Sequence, residues 1–125
     1  MDNAPSPLPP RLRLRVYLDD ATWIGPGKAD LLELIDETGS ISQAGRRMGM
    51  SYKRAWMLVE TLNASFAGPL VVSERGGAGG GGARLTPAGA QVLALFRRIQ
   101  MQSETAAASD IATLAALRDV IPERK

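Results

Sequence analysis

Lys53 and Arg54 stand together near the start of the run Ser51-Tyr52-Lys53-Arg54-Ala55-Trp56-Met57. At 100° per residue a helix over this run puts Lys53 and Met57 on its outward line, with Arg54, Glu60 and Thr61 beside them. Such side chains can hold phosphates and donate to base edges, and the start of a helix is the end best placed to enter a groove. Ser42 and Gln43, at the start of the preceding segment, suit hydrogen bonding to a phosphate.

Covalent and metal chemistry have little to work with. The 125 residues contain no cysteine and no histidine, which removes thiol nucleophiles, thiolate or imidazole metal sites and any triad with a histidine base. The carboxylates are dispersed or, as with Asp30, Glu33, Asp36 and Glu37, lie along one helical face, the pattern of a solvated surface rather than of an acid–base pair. No enzymatic activity, cofactor or metal is expected.

The elements that must position Lys53 and Arg54 read as a helix-turn-helix from Ile41 to Glu60. Gly45 is the small contact between the helices, and Gly49 supplies the turn, where positive φ costs a glycine little. Ile41, Ala44 and Met48 form one apolar stripe, and Ala55, Leu58, Val59, Leu62 and Phe66 form the next. Ser40 with Gln43 gives a capping-box signal, and Ser51 caps the second helix. An ordinary helical hairpin with a solvated basic face fits the same pattern.

Length and charge distribution narrow the choice. The chain is about one domain, large enough for a core without disulfides or metals. Its net charge is only +2, but between Gly39 and Val59 lie Arg46, Arg47, Lys53 and Arg54 and no acid. No apolar run approaches the ~20 residues of a membrane span, and no signal-peptide pattern opens the chain. These features predict a cytoplasmic protein with no membrane partner.

Residues 1–10, with Pro5, Pro7, Pro9 and Pro10, read as a flexible leader. Arg11 to Leu18 begins in strict alternation and predicts a strand, with Leu12, Leu14 and Val16 on one face. Asp19-Asp20 makes a turn, Thr22-Trp23-Ile24 a short return strand and Gly25-Pro26-Gly27 a break. Lys28 to Thr38 is an amphipathic helix bearing Leu31, Leu32, Leu34 and Ile35, ended by Gly39. Gly68-Pro69 should close the second helix of the pair. Leu70 to Arg75 and Ala83 to Leu85 then form a hairpin, and Thr86-Pro87 starts a long helix with the apolar stripe Val92, Leu95, Phe96 and Ile99. Apolar spacing resumes at Ile111, Leu114 and Leu117, as one helix or two. The order predicts a mainly α fold with a small β-sheet: a winged helix-turn-helix over residues 11–100, followed by a C-terminal helical extension, 101–125, that serves dimerisation.

Gly77, Gly79 and Gly82 formally match a dinucleotide-binding fingerprint. The surrounding chain has no strand opening directly into a helix within a βαβ unit, so the run reads instead as a wing tip, with Arg75 and Arg84 at its stem supplying charge for a nucleic-acid backbone.

Gly39-Ser40-Ile41-Ser42-Gln43-Ala44, Ser51-Tyr52-Lys53-Arg54-Ala55-Trp56 and the glycine-rich wing closing in Ala83-Arg84-Leu85-Thr86-Pro87-Ala88-Gly89 together resemble the N-terminal DNA-binding domain of the molybdate-responsive transcription regulators, the ModE family. The resemblance runs from about Lys28 to Ile99. It implies a LysR-type winged helix that dimerises through its first and long last helices, with DNA contacts at Ser42, Gln43, Ser51, Tyr52 and Lys53. Tyr52 and Trp56 flank the core stripe, and packing is the better reading for Trp56. Full-length members carry C-terminal oxyanion-binding domains; the sequence has no counterpart, so molybdate binding is not carried over. Ala78 stands where the family often has a basic residue, and the family's wing is longer.

The sequence thus predicts a homodimeric regulator binding a pseudo-palindromic site in double-stranded DNA through Ser42, Gln43, Ser51, Tyr52, Lys53, Arg54, Met57, Arg75 and Arg84. Two alternatives are a winged-helix protein-interaction module and the DNA-binding half of a split oxyanion sensor working with a separate effector-sensing protein. A small oxyanion-binding or storage protein is a third, resting on family association alone.

Overall fold

The computed structural model describes residues 9–74 and 82–120, so the expectations for most of the leader, for Arg75 and for the glycine run up to Gly81 lie outside the described residues. Two short strands, β1 (Val16–Tyr17) and β2 (Trp23–Ile24), precede three helices, α1 (Pro26–Thr38), α2 (Ile41–Arg47) and α3 (Tyr52–Ser65). A second antiparallel pair, β3 (Val71–Glu74) and β4 (Gly82–Leu85), leads into the long helix α4 (Pro87–Val120).

The first strand is shorter than the alternation suggests. Leu12, Leu14 and Val16 are half-buried and Arg11, Arg13 and Arg15 exposed, as expected, but only Val16 and Tyr17 pair, with Ile24 and Trp23. The partner sets the limit. β2 has two residues before Gly25, and Pro26, which lacks an N–H, already begins α1. The expected break at Gly25-Pro26-Gly27 is therefore corrected: Pro26 and Gly27 form the first turn of α1, where the missing N–H has no partner to lose. The turn before β2 is held by Asp19, whose carboxylate accepts from Ala21 N at 2.9 Å and Thr22 N at 2.8 Å. Those bonds hold its carboxyl below the ordinary aspartate range.

Leu31, Leu32 and Ile35 of α1, Ile41 and Ala44 of α2, and Ala55, Val59 and Leu62 of α3 meet in one core, closed by Leu70, Val71, Ala83 and Phe96. α3 ends at Ser65, earlier than Gly68-Pro69, because Phe66 turns to extended backbone and packs on that core. Within the last turn of α3, Asn63 joins that helix to the wing. Its Oδ1 accepts from Leu70 N at 2.8 Å and Val71 N at 3.0 Å, and its Nδ2 donates to Val71 O at 3.0 Å.

β3 and β4 pair from Val71↔Leu85 to Glu74↔Gly82. Ala83 N also donates to Gly39 O at 2.9 Å, so β4 lies between β3 and the junction of α1 and α2. Thr86 caps α4: its hydroxyl accepts from Gly89 N at 3.0 Å and donates to Pro69 O at 2.7 Å. A Cβ on Gly89 would run into the Leu70 carbonyl, which explains a glycine in the first turn of a helix.

α4 is one helix of 34 residues, about 50 Å long. The boundary read at residue 100 therefore falls inside a continuous element; no Gly or Pro interrupts the stretch from Ala90 to Ile121, and its alanines favour the helix. Its core-facing side is also corrected. Phe96 is buried and Val92 and Leu93 pack beside it, whereas Leu95 and Ile99 face outward, 42% and 38% exposed, with Leu114 and Leu117 further along. Only the N-terminal part of α4 packs on the core, and among the described residues Leu95 and Ile99 stay outside it. Arg97 fixes the docked part, with its Nη2 2.8 Å from Asp30 Oδ1 and 2.6 Å from Glu33 Oε1.

Candidate nucleic-acid interface

The turn between α2 and α3 follows from local chemistry. Ser40 accepts from Gln43 N at 3.0 Å, which starts α2. The reciprocal half of the expected capping box is absent among the described bonds, since Ser40 N donates to Thr38 Oγ1 instead. At the other end, Met48 N and Met50 N both donate to Gly45 O at 3.0 Å, and Gly49 adopts φ 74° between them. Side chains rarely take that left-handed conformation. Ser51 then accepts from Arg54 N at 3.1 Å and starts α3.

The two helices meet where Gly45 faces Ala55. A Cβ at residue 45 would stand 2.7 Å from the Ala55 Cβ, so glycine sets the separation of the pair. With Ala55, Val59 and Leu62 buried, the opposite face of α3 presents Lys53, Arg54, Met57, Glu60 and Thr61, all exposed. Lys53 and Arg54 make no ion pair among the described residues, and neither does Arg46 on α2. Arg47 is 3.4 Å from Glu37, with both side chains largely exposed.

The electrostatics argue for an external anion. The N-terminus of a helix carries partial positive charge, and cations there are unfavourable by several tenths of a kcal/mol. α3 nonetheless carries Lys53 and Arg54 and no acid in its first turn. Folding alone gives no reason for this placement, whereas a phosphate backbone beside that turn would be attracted by charge and dipole together.

The structure brings Ser51, Tyr52, Lys53, Arg54 and Met57 to one side of α3. Tyr52 is 59% exposed, its ring edge-on to Trp56 with centroids 6.1 Å apart. Trp56 packs against the core as expected, and its Nε1 is buried without a partner among the described residues. Gln43 is exposed beside Arg46 and Arg47 in a shallow depression, while half-buried Ser42 lies 3.5 Å from Arg46 Nη2. Arg84 stands on the wing stem bound to Glu74 at 2.8 Å, so its charge is already matched. Gly82 opens a strand of an antiparallel pair and not a helix, which removes the context a dinucleotide fingerprint needs.

Sequence reading passed over Arg46 and Arg47 as site candidates, although the acid-free stretch that contains them was the available signal. It also missed Asn63, whose bonds reach seven and eight residues along the chain. No local pattern marks such a residue.

A three-helix core, with a tight turn before an exposed basic helix and a two-stranded wing leading into a long helix, defines the winged helix-turn-helix class. Residues 28–90 match the bacterial regulatory helix-turn-helix proteins of the lysR family, and the chain belongs to that family. It is similar to the molybdenum transport protein ModE of Herbaspirillum seropedicae, 47% identical over 73 residues that make up 58% of this chain and 27% of that protein. The molybdenum-pterin-binding protein MopB of Rhodobacter capsulatus is 46% identical over 62% of this chain and 28% of its own. The DNA-binding transcriptional dual regulator ModE of Escherichia coli K12 is 37% identical over 66% and 32%. The chain thus spans about a third or less of the length of these relatives. A solved structure, full-length CbnR complexed with its target DNA, superposes with a TM-score of 0.52 at 24% identity over 72% of this chain and 29% of that one, which shows the shared fold. No helix among the described residues is long and apolar enough to cross a membrane.

Proposed function

We propose that this chain is the DNA-binding unit of a transcription regulator that acts in the cytoplasm and carries no enzymatic activity. The observation that carries the reading is the outward face of α3, where Lys53 and Arg54 lie exposed, without an ion pair among the described residues, at the positive end of a helix. α3 enters the major groove of double-stranded DNA and offers Ser51, Tyr52, Lys53, Arg54 and Met57. Ser42 and Gln43 take a phosphate, and Arg84 on the wing meets the neighbouring backbone once it leaves Glu74.

The outward apolar residues of α4, Leu95, Ile99, Leu114 and Leu117, support a homodimer that places two copies of α3 on the half-sites of a pseudo-palindrome. The same surface supports the second reading, an interaction module that docks a separate effector-sensing protein. The names of the relatives point to genes of molybdenum handling as targets.

The test is selection of bound sequences from a random duplex library with the purified chain, repeated at rising salt. An enriched sequence with two related half-sites and a steep fall of affinity with salt is expected. No DNA retained at low salt, with a partner protein recovered instead, would favour the interaction module.

A further inference from the structure

Met57 lies on the outward line of α3, one helical turn beyond Lys53, and it is 55% exposed. The two other methionines of the helix-turn-helix, Met48 and Met50, pack against the core, as does the neighbouring Leu58, whereas Met101 on α4 is exposed. The surroundings of Met57 restrict what it can do. Tyr52, the other exposed large apolar side chain of α3, is drawn to the flank by its edge contact with Trp56. Thr61, on the following turn, donates its hydroxyl to the Met57 carbonyl at 3.0 Å and so is engaged by its own helix. Glu60 is exposed beside that line and repels phosphates, which sets the far limit of a face able to approach a nucleic-acid backbone.

An unbranched thioether between two basic residues and an acid has no polar partner to make. Its favourable contact is with apolar surface, and in the major groove the one apolar group that distinguishes base pairs is the C5-methyl of thymine. We infer that Met57 determines specificity by packing on a thymine C5-methyl in each half-site, next to the bases and phosphates reached by Lys53 and Arg54. This inference rests on the proposed DNA-binding function and assigns one side chain to one chemical group.

The test starts from the sequence selected with the purified chain. Each thymine of a half-site is replaced in turn by deoxyuridine, which removes the C5-methyl and leaves every hydrogen-bonding group in place. Wild type is expected to lose about fourfold in affinity at one such position, the effect of one buried methyl group. Met57→Ala should bind the thymine site more weakly and show equal affinity for thymine and deoxyuridine there, while Met57→Leu keeps most of the discrimination. Because the side chain lies outside the core, Met57→Ala should retain the wild-type Tm, and comparison of the four affinities removes any effect of deoxyuridine on DNA shape.

Three results would overturn the inference while leaving DNA binding intact: no thymine in the selected half-site, no deoxyuridine position that weakens wild type, or equal sensitivity in Met57→Ala. Failure to enrich any sequence, with no DNA retained at low salt, would overturn the DNA-binding reading and this inference with it.

Discussion

Gly45 of α2 and Ala55 of α3 approach so closely that a Cβ on the first would lie 2.7 Å from the Cβ of the second. One atom therefore sets the distance, and with it the angle, at which α3 is presented. Gly45→Ala is expected to destabilise the fold by about 1 to 3 kcal/mol through overpacking. Exchange of the two residues, Gly45→Ala with Ala55→Gly, should recover most of that loss. Urea unfolding of the single and paired variants measures the coupling, and strictly additive effects would show that the contact does not limit the packing.

Asn63 couples the end of α3 to the wing through three hydrogen bonds to the backbone of Leu70 and Val71. Asn63→Ala leaves those partly buried groups unmatched and is expected to cost about 2 to 3 kcal/mol. Asn63→Asp keeps both acceptor contacts and loses the donor, so it should fall between the two. Hydrogen exchange at Leu70 and Val71 separates this local effect from global unfolding, and unchanged protection there in Asn63→Ala would contradict it.

Arg97 binds Asp30 and Glu33 from a side chain that is about one third exposed. Exposed pairs contribute little, but one guanidinium held by two carboxylates is a network. Arg97→Met should lower stability by about 1 kcal/mol, and the effect should shrink in high salt. A loss of the same size at every salt concentration would point to packing rather than charge.

Much of the helix-turn-helix was legible because its signals are local. Ser40, Gly45, Gly49 and Ser51 each act within a few residues of their own positions; the structure places Gly45, Gly49 and Ser51 in the expected roles, and Ser40 caps α2 without the reciprocal half of the box. What depends on distant partners was not legible. The alternation of Arg11 to Leu18 cannot reveal that β2 offers only two residues for pairing. The acids of α1 read as a solvated face, yet two of them hold an arginine more than sixty residues away. Leu95 and Ile99 have the spacing of core residues, but the core ends beside Phe96.

Lys28 was legible only as the beginning of a helix. It is 7% exposed, with its Nζ 3.6 Å from the centroid of the Trp23 ring and 3.3 Å from Trp23 O, while Arg15 lies over the same ring at 4.0 Å. Burial, followed by the charge of Arg15, pushes the ammonium below the ordinary lysine value. The unfolded chain therefore binds this proton more tightly than the folded one, and stability rises with pH from the depressed value up to the ordinary one. Below that window the penalty is present in full. Lys28→Met should lack this rise and should match or exceed wild-type stability at pH 7, as measured by urea unfolding at pH 7 and pH 10. A loss on the order of 2 kcal/mol at pH 7 would show that stacking on Trp23 outweighs desolvation.

The exposed, basic start of α3 is tested most directly by the affinity of the selected operator for wild type, Lys53→Ala and Arg54→Ala across a salt series. A residue on a base edge should cost roughly 1 to 3 kcal/mol when removed and relax specificity at one position; a residue on a phosphate should weaken all sequences alike and reduce the salt slope by about one. Each substitution is expected to show one of these two signatures. Unchanged affinity and unchanged salt dependence in both variants would contradict the assignment of this face to DNA.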